Sequence, residues 1–175
     1  MKKIIAFAGT NHSKSINHQL LQYVAELCPQ VEVFRLTDYS APMYSPELEE
    51  EGGIPEIIVQ LEKKLAEADE IIISCAEYNG NQTPFFKNIL DWLSRYKREF
   101  LGGKRILLTS ASPGPTGGMH SLKSTQTMLP FFGATIIGAF SLGNFDQTFV
   151  DGTIVDETLD LQLKEVLKGV GYYQQ

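Results

Sequence analysis

A chain of 175 residues with 43% apolar and 21% charged side chains has the length and make-up of one domain, residues 1–175, closing a sizeable core. Its net charge of −6 excludes the broad basic face that wholesale nucleic-acid binding uses, while leaving room for a local basic pocket. No apolar run reaches membrane-spanning length, no early stretch has a signal-peptide layout, and Cys28 and Cys75 lack metal-ligand or redox spacing. A cytoplasmic protein with no metal, membrane or nucleic-acid partner is expected.

Residues 3–9 are apolar throughout and predict a central strand. A polar loop follows, and then Ile16, Leu20, Leu21, Val24 and Leu27 recur at helical spacing up to Cys28-Pro29, where proline ends the helix. Residues 31–36 alternate and predict a second, more exposed strand. The stretch 37–53, with Pro42, Pro46 and three consecutive glutamates, reads as a long irregular connection. A helix over 55–68 buries Ile57, Ile58, Leu61 and Leu65. The run Ile71-Ile72-Ile73 then predicts a buried parallel strand over 70–75, too short and too β-branched for a helix.

A third helix covers 84–97, with aromatic residues Phe85, Phe86, Trp92 and Tyr96 around more of its circumference than one core-facing stripe needs. Residues 105–110 form the fourth strand, followed by a Gly/Pro-rich loop at 112–118 and a helix over 119–129. The fifth strand is 135–140. The segment to Gly152 reads as loop, and the last helix as 156–168. Regular βα alternation with apolar strands implies a parallel sheet with right-handed crossovers, an α/β three-layer sandwich. Five strands suit the flavodoxin-like order 2-1-3-4-5, whose switch point lies between strands one and three.

Ligands in such sheets sit outside the carboxyl ends of the strands, so the loops after strands one and three are the candidates. In the first, Thr10, Ser13, Ser15 and Asn17 crowd hydroxyl and amide groups at a helix start, with His12 and Lys14 adding positive charge. That is a phosphate cradle in type, although Ser15 also serves as an ordinary N-cap. Neither the three-glycine dinucleotide pattern nor the Walker pattern is present, against a Rossmann dehydrogenase or a nucleoside triphosphatase. In the second, Tyr78-Asn79-Gly80 offers an aromatic wall and a glycine that permits close approach of a flat ring, though Asn79-Gly80 alone reads as a plain turn. The glycine-rich loop at 112–118 stands on the same edge, and Met43-Tyr44 are candidates to cover the ring. One flavin nucleotide spanning these loops is the expectation.

These motifs resemble the NADPH-dependent FMN reductase family, which includes quinone, chromate and azo-dye reductases. Gly9-Thr10-Asn11-His12-Ser13-Lys14-Ser15-Ile16-Asn17 occupies that family's Gly-Ser-x-Arg-x-x-Ser-x-Asn pattern. Ala76-Glu77-Tyr78-Asn79-Gly80, Pro84 and Lys87-Asn88-Ile89-Leu90-Asp91-Trp92 occupy its Pro-Glu-Tyr-Asn-Gly … Pro … Lys-Asn-x-x-Asp-Trp pattern. Pro42-Met43-Tyr44, Ser112-Pro113-Gly114 and Gly117-Gly118 match in order. The resemblance implies that Thr10, His12, Ser15, Ile16 and Asn17 surround the FMN phosphate. It implies that Glu77, Tyr78, Asn79 and Gly80 line the ring, with Met43, Tyr44, Ser112, Gly114, Gly117 and Gly118.

Two departures stand out: His12 where arginine is usual, which removes a bidentate phosphate clamp, and Ala76 where proline is usual. The implied activity is FMN-dependent transfer of electrons from NADPH or NADH to a small-molecule acceptor such as a quinone, azo compound or flavin. The flavin performs hydride transfer, no catalytic side chain is nominated, and a homodimer or homotetramer is implied. The rival readings are a flavodoxin-like electron carrier and a flavin-free binding domain on the same scaffold.

Overall fold

The computed structural model describes residues 2–173, and alternation along β1 (Ile4–Ala8) sets its layering. Ile4, Ala6 and Ala8 face one side, Ile5 and Phe7 the other, and all are buried. The first side is covered by α1 (Ile16–Leu27) through Leu20, Leu21 and Val24. After β2 (Val31–Val33) and a 3-10 turn at Leu36–Tyr39 come α2 (Pro46–Gly52) and α3 (Glu56–Glu67). Next are β3 (Glu70–Ser74), a hairpin of β4 (Glu77–Tyr78) and β5 (Asn81–Gln82), and α4 (Pro84–Tyr96). The chain continues through β6 (Arg105–Ala111), α5 (Met119–Met128) and β7 (Thr135–Leu142). It closes with one-turn α6 (Phe145–Thr148), a hairpin of β8 (Phe149–Val150) and β9 (Thr153–Ile154), and α7 (Glu157–Gly169).

The main sheet is parallel, in the order β2-β1-β3-β6-β7, which is the expected 2-1-3-4-5 when its five strands are counted in chain order. Helices α3, α4 and α5 bury Ile58, Leu61, Phe86, Ile89, Trp92 and Leu122 against one face; α1 and α7 bury Leu20, Leu21, Leu163 and Leu167 against the other. In register, Ala8 lies opposite Ser74 and Ser74 opposite Thr109. Strands β1, β3 and β6 therefore run out near one rim, and the loops that follow them emerge side by side. No helix among the described residues is long and apolar enough to cross a membrane.

The structure departs from expectation in four places. Strand β2 stops at Val33 rather than residue 36, because Leu36 turns inward to the core at the start of the 3-10 turn. The connection 37–53 is not irregular throughout: Ser45 caps α2 by accepting from Leu48 N, Pro46 fills its first turn, and Glu47 and Glu49 favour its N-terminal end. The segment after the fifth strand is ordered as α6 and the β8–β9 hairpin, with Phe145 stacked on Phe149. Finally, the aromatic residues of α4 are largely used within the chain. Phe86 and Trp92 are fully buried, Phe85 packs against the same core, and of the four only Tyr96 is exposed. The helix therefore offers no aromatic face in search of a second subunit.

Candidate active site at the strand ends

The first loop is fixed at its root by its neighbours. Gly9 N donates to Ser74 O (2.9 Å), while Gly9 O accepts from the buried Thr83 hydroxyl (2.8 Å), which also caps α4. A glycine is required there because a Cβ would lie 2.8 Å from the Phe86 ring. Thr10 Oγ1 accepts from His12 N (3.2 Å), and the Ser15 hydroxyl accepts from His18 N (3.3 Å). The first N–H groups of a helix have no intrahelical partner, so those of Ile16 and Asn17 are left open for a ligand.

Asn17 is buried and holds three elements together. Its Nδ2 donates to Ala111 O (3.0 Å), and its Oδ1 accepts from Ala111 N (2.9 Å) and Ser74 Oγ (2.8 Å). The first turn of α1 is thereby tied to the ends of β3 and β6. Asn17 lines the cleft, but its polar atoms are engaged by the protein, which makes it a positioning residue.

The second loop is held from α5. Ser121 Oγ donates to Ala76 O (2.9 Å) and Ser121 N to Glu77 Oε2 (3.0 Å), and His120 Nδ1 stands 3.6 Å from Glu77 Oε1. Asn79 and Gly80 form the tip of the β4–β5 hairpin with φ of 54° and 76°, the left-handed region that a tight hairpin turn uses. Gln82 Nε2 pins the returning strand to Ser124 and Thr125. The third loop is not a flexible connector: Ser112 N donates to Leu142 O (3.1 Å), Asn144 N to Gly114 O (2.9 Å), and Phe145 N to Ser112 O (3.1 Å). A Cβ at Gly117 would collide with Ser141 and with the backbone at 142–143.

Together the three loops enclose an open cleft of about 310 Å³. Thr10, His12, Lys14, Ser15, Ile16 and Asn17 of the first loop line it together with Ala76, Glu77 and Tyr78 of the second and Ala111, Ser112 and Pro113 of the third. Of the residues singled out in the sequence, Thr10, His12, Lys14, Ser15, Ile16, Asn17, Glu77, Tyr78 and Ser112 meet here. The others stand apart from its lining. Asn79 and Gly80 occupy the exposed hairpin tip; Gly114, Gly117 and Gly118 shape the third loop from behind.

Tyr44 lies in a separate hollow with Pro46, Glu49, Glu50 and Arg95. Its ring packs edge-on against Trp92, and its hydroxyl donates to Glu49, whose carboxyl Arg95 holds below its usual pKa. Asn88 and Trp92 keep the 41–44 segment there: Trp92 Nε1 donates to Pro42 O (2.8 Å), and Tyr44 N to Asn88 Oδ1 (2.8 Å). Met43, beside it, is 68% exposed. Sequence reasoning passed over Pro113 as a lining residue, the His120–Glu77 pair, and Arg35, whose Nη1 donates to Ser13 O (3.2 Å).

This donor set fits a flavin nucleotide. Hydroxyls, open helix amides and cations suit a phosphate at one end; the half-exposed Tyr78 ring and the fixed Glu77 carboxylate suit a flat heterocycle at the other. The fold is flavodoxin-like, and the cleft at its strand ends carries donors of the kind a flavin nucleotide needs. Residues 2–147 match the family described as NADPH-dependent FMN reductase, and the chain belongs to that family.

A quinone reductase of Escherichia coli (strain K12) is 28% identical over 165 residues, covering 90% of this chain and 88% of that protein. An NADPH:quinone oxidoreductase of Arabidopsis thaliana is 26% identical over 174 residues, covering 94% and 88%. Among solved structures, the flavoenzyme NAD(P)H:(acceptor) oxidoreductase of Paracoccus denitrificans superposes with a TM-score of 0.79 at 22% identity, covering 98% of this chain and 97% of that one. An FMN-dependent NADH-azoreductase of Bacillus anthracis in complex with FMN gives 0.58 at 20% identity, covering 94% and 95%. The chain is an FMN-dependent NAD(P)H oxidoreductase.

Proposed function

We propose that the protein passes electrons from NADPH or NADH to a small-molecule acceptor of the quinone, azo or flavin type, using FMN held across the loops after β1, β3 and β6. The observation that carries this reading is the single cleft shared by those loops, with its cationic end set by α1 and its aromatic end by the β4–β5 hairpin. FMN, when bound, would supply the redox chemistry that links a reduced nicotinamide to the acceptor. The chain's own residues bind and orient. Thr10, His12, Lys14, Ser15 and Ile16 surround the phosphate, and Asn17 holds their turn in place. Glu77, Tyr78, Ser112 and Pro113 flank the ring, while Gly114, Gly117 and Gly118 give the third loop its shape.

Met43 and Tyr44 are placed by Asn88 and Trp92 at a neighbouring surface. With Tyr78 45% and Met119 41% exposed as well, this supports a homodimer or homotetramer in which such side chains are covered. The relatives named quinone reductase support a quinone as acceptor. Residues 1–175 are read as one FMN-binding domain. The two free, buried cysteines are in keeping with a cytoplasmic setting.

The test is anaerobic. The purified protein carries a visible flavin spectrum that NADPH or NADH bleaches and a quinone restores. A flavin left oxidised by both nucleotides overturns the reading in favour of an electron carrier served by a partner enzyme.

A further inference from the structure

We propose that Arg35 supplies the guanidinium for the terminal phosphate of FMN, the part left open by His12 in the first loop. This rests on the reading that the Thr10–Asn17 loop takes that phosphate.

Arg35 stands just after β2, beyond the switch-point neighbours β1 and β3, yet it is brought to the first loop by its hydrogen bond to Ser13 O. It lines a small hollow with Thr10, His12, Ser15 and His18, and Thr10, His12 and Ser15 also line the main cleft. The hollow that Arg35 lines and the main cleft thus share three residues of one short turn. A guanidinium has five N–H donors in a planar fork, and the bond to Ser13 O uses one of them. No carboxylate lines the hollow, and among the described residues none is ion-paired with Arg35.

In a chain of net charge −6, this turn gathers His12, Lys14, His18 and Arg35; no acidic residue lines the small hollow, and the carboxylate of the main cleft, Glu77, is engaged by Ser121 N. His18 is held below its usual pKa, first by burial and then by Arg35, which leaves Arg35 as the permanent charge of the small hollow and Lys14 as that of the main cleft. A cation kept without a counterion beside open helix amides is what a phosphate dianion requires. The departure at His12 therefore relocates the clamp from the first loop to the segment that follows β2.

The experiment titrates the full chain, stripped of flavin, with FMN and with riboflavin, which lacks the phosphate, and follows quenching of flavin fluorescence. Arg35→Gln keeps a donor for Ser13 O while removing the charge. It is expected to weaken FMN binding about tenfold to a hundredfold and to leave riboflavin unchanged. Arg35→Lys loses less, and adding His12→Arg to Arg35→Gln restores affinity, a rescue that a merely structural role of Arg35 does not allow. Unchanged FMN affinity in Arg35→Gln, or equal loss of FMN and riboflavin, overturns the assignment. Wild-type protein that binds FMN no better than riboflavin overturns the phosphate placement itself, a separate failure.

Discussion

Asn17 grips both backbone groups of Ala111, donating to its carbonyl at 3.0 Å and accepting from its amide at 2.9 Å. The residues are 94 positions apart in the chain, and the Ser74 hydroxyl joins them at 2.8 Å. One amide thereby registers the ends of three segments, and the spacing of the cleft depends on it. Asn17→Ala leaves buried polar groups of Ala111 and Ser74 unpaired. Stability to urea is expected to fall by about 2–4 kcal/mol, with weaker flavin binding in the protein that remains folded. An unchanged urea midpoint contradicts the clasp.

The join between Gly9 and Thr83 is a second test. Thr83→Val preserves shape but removes the hydrogen bond to Gly9 O and the cap of α4. A loss of about 1–2 kcal/mol is expected in thermal or urea unfolding. Gly9→Ala forces a methyl against the Phe86 ring and is expected to cost about 1–3 kcal/mol.

Two glycines of positive φ make a controlled comparison. Gly117 (φ 62°) is packed against Ser141, Leu142 and Gly143, whereas a Cβ at Gly80 (φ 76°) meets nothing within 4 Å. Gly117→Ala carries both backbone strain and collision, so it is expected to lower stability by more than about 2 kcal/mol and to impair flavin binding. Gly80→Ala carries only the strain, about 1 kcal/mol. Equal melting temperatures for the two variants contradict this account of the third loop.

Acid sensitivity is expected from Glu70, a buried carboxylate at the start of β3 that Lys2 and Arg105 face. Burial opposes its ionisation, but Lys2, the Tyr172 hydroxyl and Arg105 together outweigh burial and hold its pKa below the usual value of 4.5. A carboxyl depressed on folding stabilises above its unfolded pKa, and that contribution is lost as pH falls through the folded value. Glu70→Gln is therefore expected to be less stable than wild type at neutral pH, with the gap closing as the pH drops below about 4.5. Urea titrations at several pH values measure it; a gap independent of pH contradicts the linkage.

Much of this was legible in the sequence because it was local. The apolar runs at 4–8 and 70–74 marked central strands, and the loop patterns after them marked the rim where a ligand sits. The signals for α2 were also local, in Ser45-Pro46 and the glutamates that follow, but were masked by the neighbouring prolines. Non-local placement was not legible. Nothing in Asn17 announces Ala111, and nothing in Met43-Tyr44 announces that Asn88 and Trp92 hold them away from the cleft lining. The hairpin at 77–82 reads as a loop in the sequence because its strands are two residues each, too short to alternate visibly. Arg35 gave no motif at all, since its approach to Ser13 depends on where β2 stops.

The central claim is that the turns after β1 and β3 grip opposite ends of one flavin nucleotide, and a crystal structure of the protein grown with FMN tests it most directly. The account predicts the phosphate over the first turn of α1, among Thr10, His12 and Ser15, with the ring between Tyr78 and the 112–113 backbone. A nucleotide bound anywhere else, or with its two ends exchanged, contradicts it.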